Sequence, residues 1–423
     1  MPGVVGISAG ASSGKKAAMI DRTSGLFVLA LVCFLAGLAC GARPGAGAEA
    51  SARDFSSASF YVFVPSRTAP NVSVIDKTTD RLIGRIALPL VPRQIVVSEA
   101  THLLGAIDGT SNRIVLVNLA SGQSQEVGLA IAPQKLWLDL DGTRLAAVDL
   151  WGGTIAFVDL VQPPEQSHVR TVVHVAGPIR DVLFSFDAAN LFVAADGLDG
   201  IGVIDIARSR MLASIPSVGS GKAHITGLTR SPEGLYGYAA DEGGGVTRFE
   251  QAPGRPSSAV GIAKAFPAGD GSYVVAPIGV GIGVAKAFPT GYGEHLVAPN
   301  NRTGTVTLVA TASSEPVATL PGLPGMSTVY SGWFDEVSIV TSATEHRLLV
   351  VDLDRLTAAD AIVLPGVPGP GNVTDDSSKL YVPIADANEI AVIDLRNRRL
   401  LGAIPVDPEP TAVVMTRSFD VCH

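Results

Sequence analysis

Cysteine is nearly absent from this chain: its 423 residues hold three, at positions 33, 40 and 422. Two of these fall in an N-terminal apolar stretch, so no disulfide framework can staple the remainder and stability must come from packed secondary structure. Charge is sparse, at 17% of residues, and aromatics make up 6%. The motifs that announce common chemistries are missing too. The repeat-bearing part of the chain, 56–417, has no GxSxG nucleophile elbow, and the chain has no HExxH zinc helix and no CxxCH haem attachment site. The one glycine-rich candidate, Gly279-Val280-Gly281-Ile282-Gly283, has neither the spacing nor the following helix of a phosphate-cradling loop.

The balance of charge excludes another class. Formal net charge is −8 over the full sequence. Without residues 1–48, 27 basic residues face 38 acidic ones and the net charge is −11. Phosphate backbones require a basic face, so nucleic acid is not the expected partner.

What the chain does have is an internal period of about 43 residues. Short apolar runs begin at Phe60, Leu103, Leu145, Leu191, Leu235, His295, Val337 and Leu380, in steps of 43, 42, 46, 44, 60, 42 and 43. A second β-rich run follows each and ends at Asp76, Asn118, Asp159, Asp205, Glu250, Ala310, Asp352 or Asp394. Alternation within the runs has period two, as in Ile-Ala-Val-Ile-Asp-Leu at 390–395, and each run is too short for a helix. Repeats of this length built from four short strands are propeller blades. The 46 glycines and 28 prolines supply the turns that so many strands need. Expected, then, is an all-β chain forming one β-propeller of eight four-stranded blades. Ala263-Lys264-Ala265-Phe266-Pro267 recurs as Ala285-Lys286-Ala287-Phe288-Pro289, which explains the 60-residue step as a duplicated half-blade and leaves seven or nine blades open.

The run from Leu380 to Asp394, Leu-Tyr-Val-Pro-Ile-Ala-Asp-Ala-Asn-Glu-Ile-Ala-Val-Ile-Asp, resembles the YVTN-type (YncE-like and surface-layer) β-propeller repeats, and Ser231-Pro232-Glu233-Gly234 resembles their Ser-Pro-Asp-Gly turn. The resemblance spans nearly all of residues 56–417. It implies the propeller fold and no particular activity, because strand and turn motifs of this kind are shared by proteins with unrelated roles.

The two ends of the chain carry an address and a closure. Lys15, Lys16 and Arg22 precede an uncharged stretch from Gly25 to Ala42, and Ala46-Gly47-Ala48 offers a small-x-small cleavage site. Residues 1–48 are therefore expected to be a secretory signal peptide and 49–55 a short linker, with a secreted or periplasmic product that has no membrane contact after cleavage. An uncleaved anchor and a lipoprotein on Cys40 are the alternatives. The propeller occupies 56–417 and a tail 418–423. It starts on a second strand at Phe60 and finishes on an innermost one, Pro410-Thr411-Ala412-Val413-Val414-Met415, so pairing the termini completes a composite blade and removes exposed sheet edges.

Function in such a ring is expected where the chain enters the innermost strands, around the mouth of the channel. Equivalent positions there are Arg93, Gln134, Arg180, His224, Lys264 or Lys286, Met326, Asn372 and Thr411. Several are basic, and in an acidic chain a cationic mouth focuses the field toward a small anion. The plainer alternative is that these long side chains cover strand ends and pair with neighbouring acids. Trp151, in a Gly-flanked loop, is poorly explained by turn chemistry and can stack on a ligand. The recurring Asp at 76, 159, 205, 352 and 394 is spread round the ring and is expected to cap turns rather than catalyse. At the C-terminus, Cys422 and His423, with His102 from an adjacent turn, offer soft donors that suit copper or zinc. The expectation overall is a non-catalytic, monomeric binding or scaffold protein for a small anion, peptide or protein partner. A metal- or cofactor-linked oxidoreductase or accessory protein is the alternative.

Overall fold

The computed structural model describes residues 54–216, 224–251, 275–279 and 286–416. Eight radial sheets close into a propeller with eight blades. Seven sheets have four antiparallel strands in chain order, and the first has three, Tyr61–Pro65, Asn71–Asp76 and Arg81–Ala87. Its missing innermost strand comes from the other end of the chain. Phe63 and Val414 exchange N–H···O bonds of 2.9 Å, and Thr411 donates to the Pro65 carbonyl at 3.0 Å. The expected pairing of the termini is thus observed.

Period-two alternation is what lets each sheet pack on both sides. Val62 and Val64 meet Tyr381, Ile390 and Val392 of the eighth blade, whereas Phe63 between them meets Ile95, Val97 and Leu104 of the second. Second and third strands are accordingly buried on both faces and read as unbroken apolar runs. The outermost strands are largely open to solvent, as in Arg81–Ala87, where Ile86 alone is buried.

The irregular step is resolved in favour of eight. The Val275-Ala276-Pro277 copy of the duplicated unit forms the outermost strand of the fifth blade, paired with Gly245–Glu250. The Val297-Ala298-Pro299 copy lies in the second strand of the sixth. Similar sequences thus occupy different places, and Lys264 with its neighbours lies outside the described residues.

Closure between the first and eighth blades is dense in polar contacts. Tyr381 and Lys379 both donate to the Asp80 carboxylate, Lys379 at 2.7 Å, and Arg85 reaches Asp407 at 2.9 Å. Burial, reinforced by Asp80, pushes the Tyr381 phenol above its usual value. Tyr381→Phe is expected to cost about 1–2 kcal/mol, because Asp80 loses a buried donor. Urea denaturation checks this, and an unchanged midpoint would contradict it.

Four of the five repeated aspartates cap turns; the fifth, Asp159, instead pairs with Arg144 at 2.8 Å and Arg170 at 3.0 Å on neighbouring strands of its own blade. Asp76 accepts the N–H groups of Thr78 and Thr79 at 3.0 and 2.8 Å, Asp205 that of Arg208, Asp352 that of Arg355 and Asp394 that of Asn397. Burial works against ionisation of Asp352, yet the Arg355 N–H and the Arg398 and Arg355 guanidiniums outweigh it and hold the carboxyl low. Asp108 behaves similarly: burial opposes, but the hydroxyl and N–H groups of Ser111 and Thr110 bring it down to about 2. A carboxyl held lower in the folded chain than its free value of about 3.9 stabilises fully above that pH. That stability is lost as pH falls through the folded value. The urea midpoint is therefore expected to be flat from pH 6 to about pH 4 and to decline steadily toward pH 2; a flat profile throughout would contradict the assignment.

Candidate functional site

A cavity of about 1700 Å³ runs through the centre of the ring. Its wall consists of the innermost strands, stitched to one another by side chains that reach the neighbouring backbone. The Gln94 amide donates to the Leu136 carbonyl and accepts from the Leu136 N–H, at 2.9 and 2.8 Å. Asp181 accepts the Leu228 N–H at 2.9 Å, Thr229 donates to the Ala287 carbonyl at 2.8 Å, and the Gly371 N–H donates to the Tyr330 hydroxyl at 2.6 Å. These bonds fix the channel residues on rigid elements rather than on loops.

Innermost strands run from a front face, where the chain enters them, to a back face. Six of the eight sequence-expected positions line the cavity: Arg93, Gln134, Arg180, Lys286, Asn372 and Thr411. They are not equivalent. Arg180 is neutralised by Asp196 of its own blade and by Glu242 of the next, the latter at 3.1 Å, so it clamps two front loops together. Asn372 is 1% exposed. Lys286 reaches across to Asp181, Nζ to Oδ2 3.3 Å, from the sixth blade to the fourth. Arg93 is exposed and lies over Gly109, whose φ of +82° and bare Cα make room for it: a Cβ there would sit 2.5 Å from Arg93 Cδ.

Gln134 does not present its amide to a ligand. It folds back on the Ala132 carbonyl and accepts the Leu150 N–H at 2.8 Å. The next residue, Lys135, is the charge in the channel. Leu136 packs toward the second blade while Trp137 packs toward the fourth, and Lys135 shares the Trp137 side, where it interacts with the charge of Asp181. Its head is open to channel water yet enclosed by protein. That enclosure pushes the ammonium below its usual value, with Asp181 opposing and Arg93 and Lys286 adding to the effect. Strand alternation was the signal: if Leu136 faces one blade interface, Lys135 faces the other. Asp181 leaves no such signal in the sequence. A β-bulge between Ile179 and Asp181 re-aims its side chain.

The remaining expected residues lie apart. His224 and Trp151 are both exposed, Trp151 at 76%, and neither is among the residues lining the cavity. Met326 is buried in the core. His102 is on the back face, its Nδ1 2.9 Å from the Ser56 carbonyl. Cys422 and His423 lie outside the described residues, as does Lys264. Among the described residues no three His, Cys, Asp or Glu side chains cluster as metal ligands do.

Several solved structures share this architecture. The chain is similar to dihydro-heme d1 dehydrogenase NirN in complex with DHE, at 13% identity and a TM-score of 0.64, over 84% of this chain and 75% of that one. It is similar to apo AztD from Citrobacter koseri, at 14% and 0.59, over 84% and 96%. A putative 6-phosphogluconolactonase from Bacteroides fragilis gives 16% and 0.51, over 74% and 96%. At these identities the likeness shows the fold alone. No protein-family model matches the chain, and no curated protein sequence does.

Proposed function

We propose that the protein is an exported binding propeller whose channel takes up a small polyanion, a polycarboxylate or phosphate ester, through its front mouth. One observation carries the reading: Arg93, Lys135 and Lys286 converge on one enclosed volume with Asp181 as the nearby counter-charge. Among the described residues neither Arg93 nor Lys135 has an ion pair, although the enclosed position of Lys135 penalises its charge. A bound anion relieves that penalty and gains charge-assisted hydrogen bonds. The overall negative charge of the chain leaves this mouth as a local attractor. Trp151 stands farther out on the front face and is a candidate to stack on a larger ligand or partner. The blades are assigned to the YVTN type on the Leu380–Asp394 pattern, and export rests on the basic-then-apolar N-terminus.

Calorimetric titration with citrate and with inorganic phosphate tests the reading, with a polyamine as control. Micromolar to low-millimolar binding of an anion and none of the polyamine supports it. The oxidoreductase reading has in its favour the likeness to NirN, whose structure holds DHE. A visible absorption spectrum and bound metal in the protein as purified would favour that reading.

A further inference from the structure

The back face differs from the front in a way that turn chemistry does not explain. Seven described turns join an innermost strand to its neighbour there, at 99–102, 139–143, 185–189, 231–235, 290–294, 333–336 and 374–378. Together they hold ten Asp or Glu residues and no Lys or Arg. The tips also carry exposed apolar side chains: Leu140 at 42%, Phe186 at 48%, Tyr292 at 57% and Phe334 at 53%. Of the five exposed aromatics among the described residues, Trp151 alone belongs to the front. Single exposed apolar residues need no explanation, but a set repeated at equivalent turns round one opening does.

These turns are also contiguous. The Phe186 ring lies on Gly234 of the next blade, where a Cβ would come within 1.9 Å of it and φ is +72°. Gly293 of the sixth blade abuts Glu233 of the fifth. The Asp335 carboxylate accepts the Gly291 and Tyr292 N–H groups at 2.8 and 3.3 Å, and Trp333 and Phe334 donate to Ser377. Trp333, Phe334 and Asp335 are three consecutive non-glycine residues in the left-handed region, with φ of 49°, 53° and 68°. L-residues normally visit that region singly. Here the run holds Phe334 out in solvent against the Trp333 ring, at 5.3 Å.

Turn bonding accounts for some of the acids. Asp139, Asp187 and Asp376 accept neighbouring N–H or hydroxyl groups. It accounts for neither the aromatics nor the negative sign of the whole rim. Neighbouring cations are engaged: Arg144 with Asp159 at 2.8 Å, Lys379 with Asp80 at 2.7 Å, Lys77 with Asp375 at 3.3 Å and Arg396 over the Trp333 ring at 4.9 Å.

We propose that this back face docks a partner protein through a cationic segment that alternates arginine or lysine with apolar side chains. The acids steer such a segment, and the aromatics supply desolvated anchors and cation–π faces. An anionic lipid surface is repelled by the same rim, which selects a protein as the occupant. The proposal does not depend on the anion site at the front.

The test uses a labelled fourteen-residue peptide of alternating Arg and Leu, read by fluorescence anisotropy on the mature protein. Counterparts carry Ser for Leu or Glu for Arg. Expected is binding of the Arg/Leu peptide, at least tenfold weaker binding of the Arg/Ser peptide, and none of the Glu/Leu peptide. Phe186→Ser with Phe334→Ser should weaken binding at least tenfold, and so should Glu233→Lys with Glu336→Lys; melting curves confirm that each variant is folded. Phe334→Tyr, which keeps the ring, should bind as wild type. Arg93→Ala with Lys135→Ala at the front should also leave peptide binding unchanged. Equal binding of the Arg/Ser peptide, or indifference to the aromatic pair, would overturn the proposal. So would self-association in sedimentation velocity that the aromatic variants abolish, since the occupant would then be a second copy of the chain.

Discussion

Replacing Arg93 and Lys135 together by alanine is expected to reduce affinity for citrate or phosphate by at least 100-fold without changing the melting temperature by more than a few degrees. Each side chain is exposed to channel water, so its removal leaves no buried partner unsatisfied. Each charge-assisted hydrogen bond lost is worth about 1.5–3 kcal/mol, which is about 10- to 100-fold per residue. Lys286→Ala should behave differently. It removes the ion-pair partner of Asp181 and so leaves more of that carboxylate's charge to oppose an anion, and the loss of affinity should exceed that of either other single variant. Asp181→Asn runs the opposite way: it removes the internal competitor for Lys286 while the side chain can still accept the Leu228 N–H, and binding should tighten several-fold. Titration of the double variant, the three single alanine variants and Asp181→Asn checks the pattern. Equal affinities across all of them would contradict the site.

Removal of residues 410–423 is expected to lower the melting temperature by about 5–15 °C and to produce soluble aggregates. The segment buries Val413 and Met415, each worth about 1.5–3 kcal/mol, and leaves Tyr61–Pro65 as a bare edge when it is gone. An unpaired strand flanked by apolar faces is a template for pairing with another chain. Val414→Pro isolates the hydrogen-bonding part, because it removes the donor to the Phe63 carbonyl while keeping an apolar side chain. Calorimetry with size-exclusion chromatography reads both variants. A truncated protein that melts as wild type and stays monomeric would show that ring closure contributes little.

Architecture was legible in this chain because it is written many times over. The spacing of the apolar runs, the capping aspartates and the complementary strands at the two ends each point to the same closed ring, and the structure has all three. The site is written once, and there a register error of one residue matters. Counting from Arg93 led to Gln134, whose amide is consumed by local backbone, when the charge that faces the channel is on Lys135. Arg180 follows the plainer alternative of pairing with acids, but its partners were not legible, since Asp196 and Glu242 are 16 and 62 residues away along the chain. Nor was the aromatic rim on the back face: Phe186, Tyr292 and Phe334 sit in turns of unlike sequence, and only the ring brings those turns together.

The most direct measurement is the anomalous difference map of a crystal soaked with arsenate or selenate. The account predicts a peak inside the channel, within hydrogen-bonding distance of Lys135 and of Arg93 or Lys286. Anomalous peaks on the outer surface with none in the front half of the channel would contradict it.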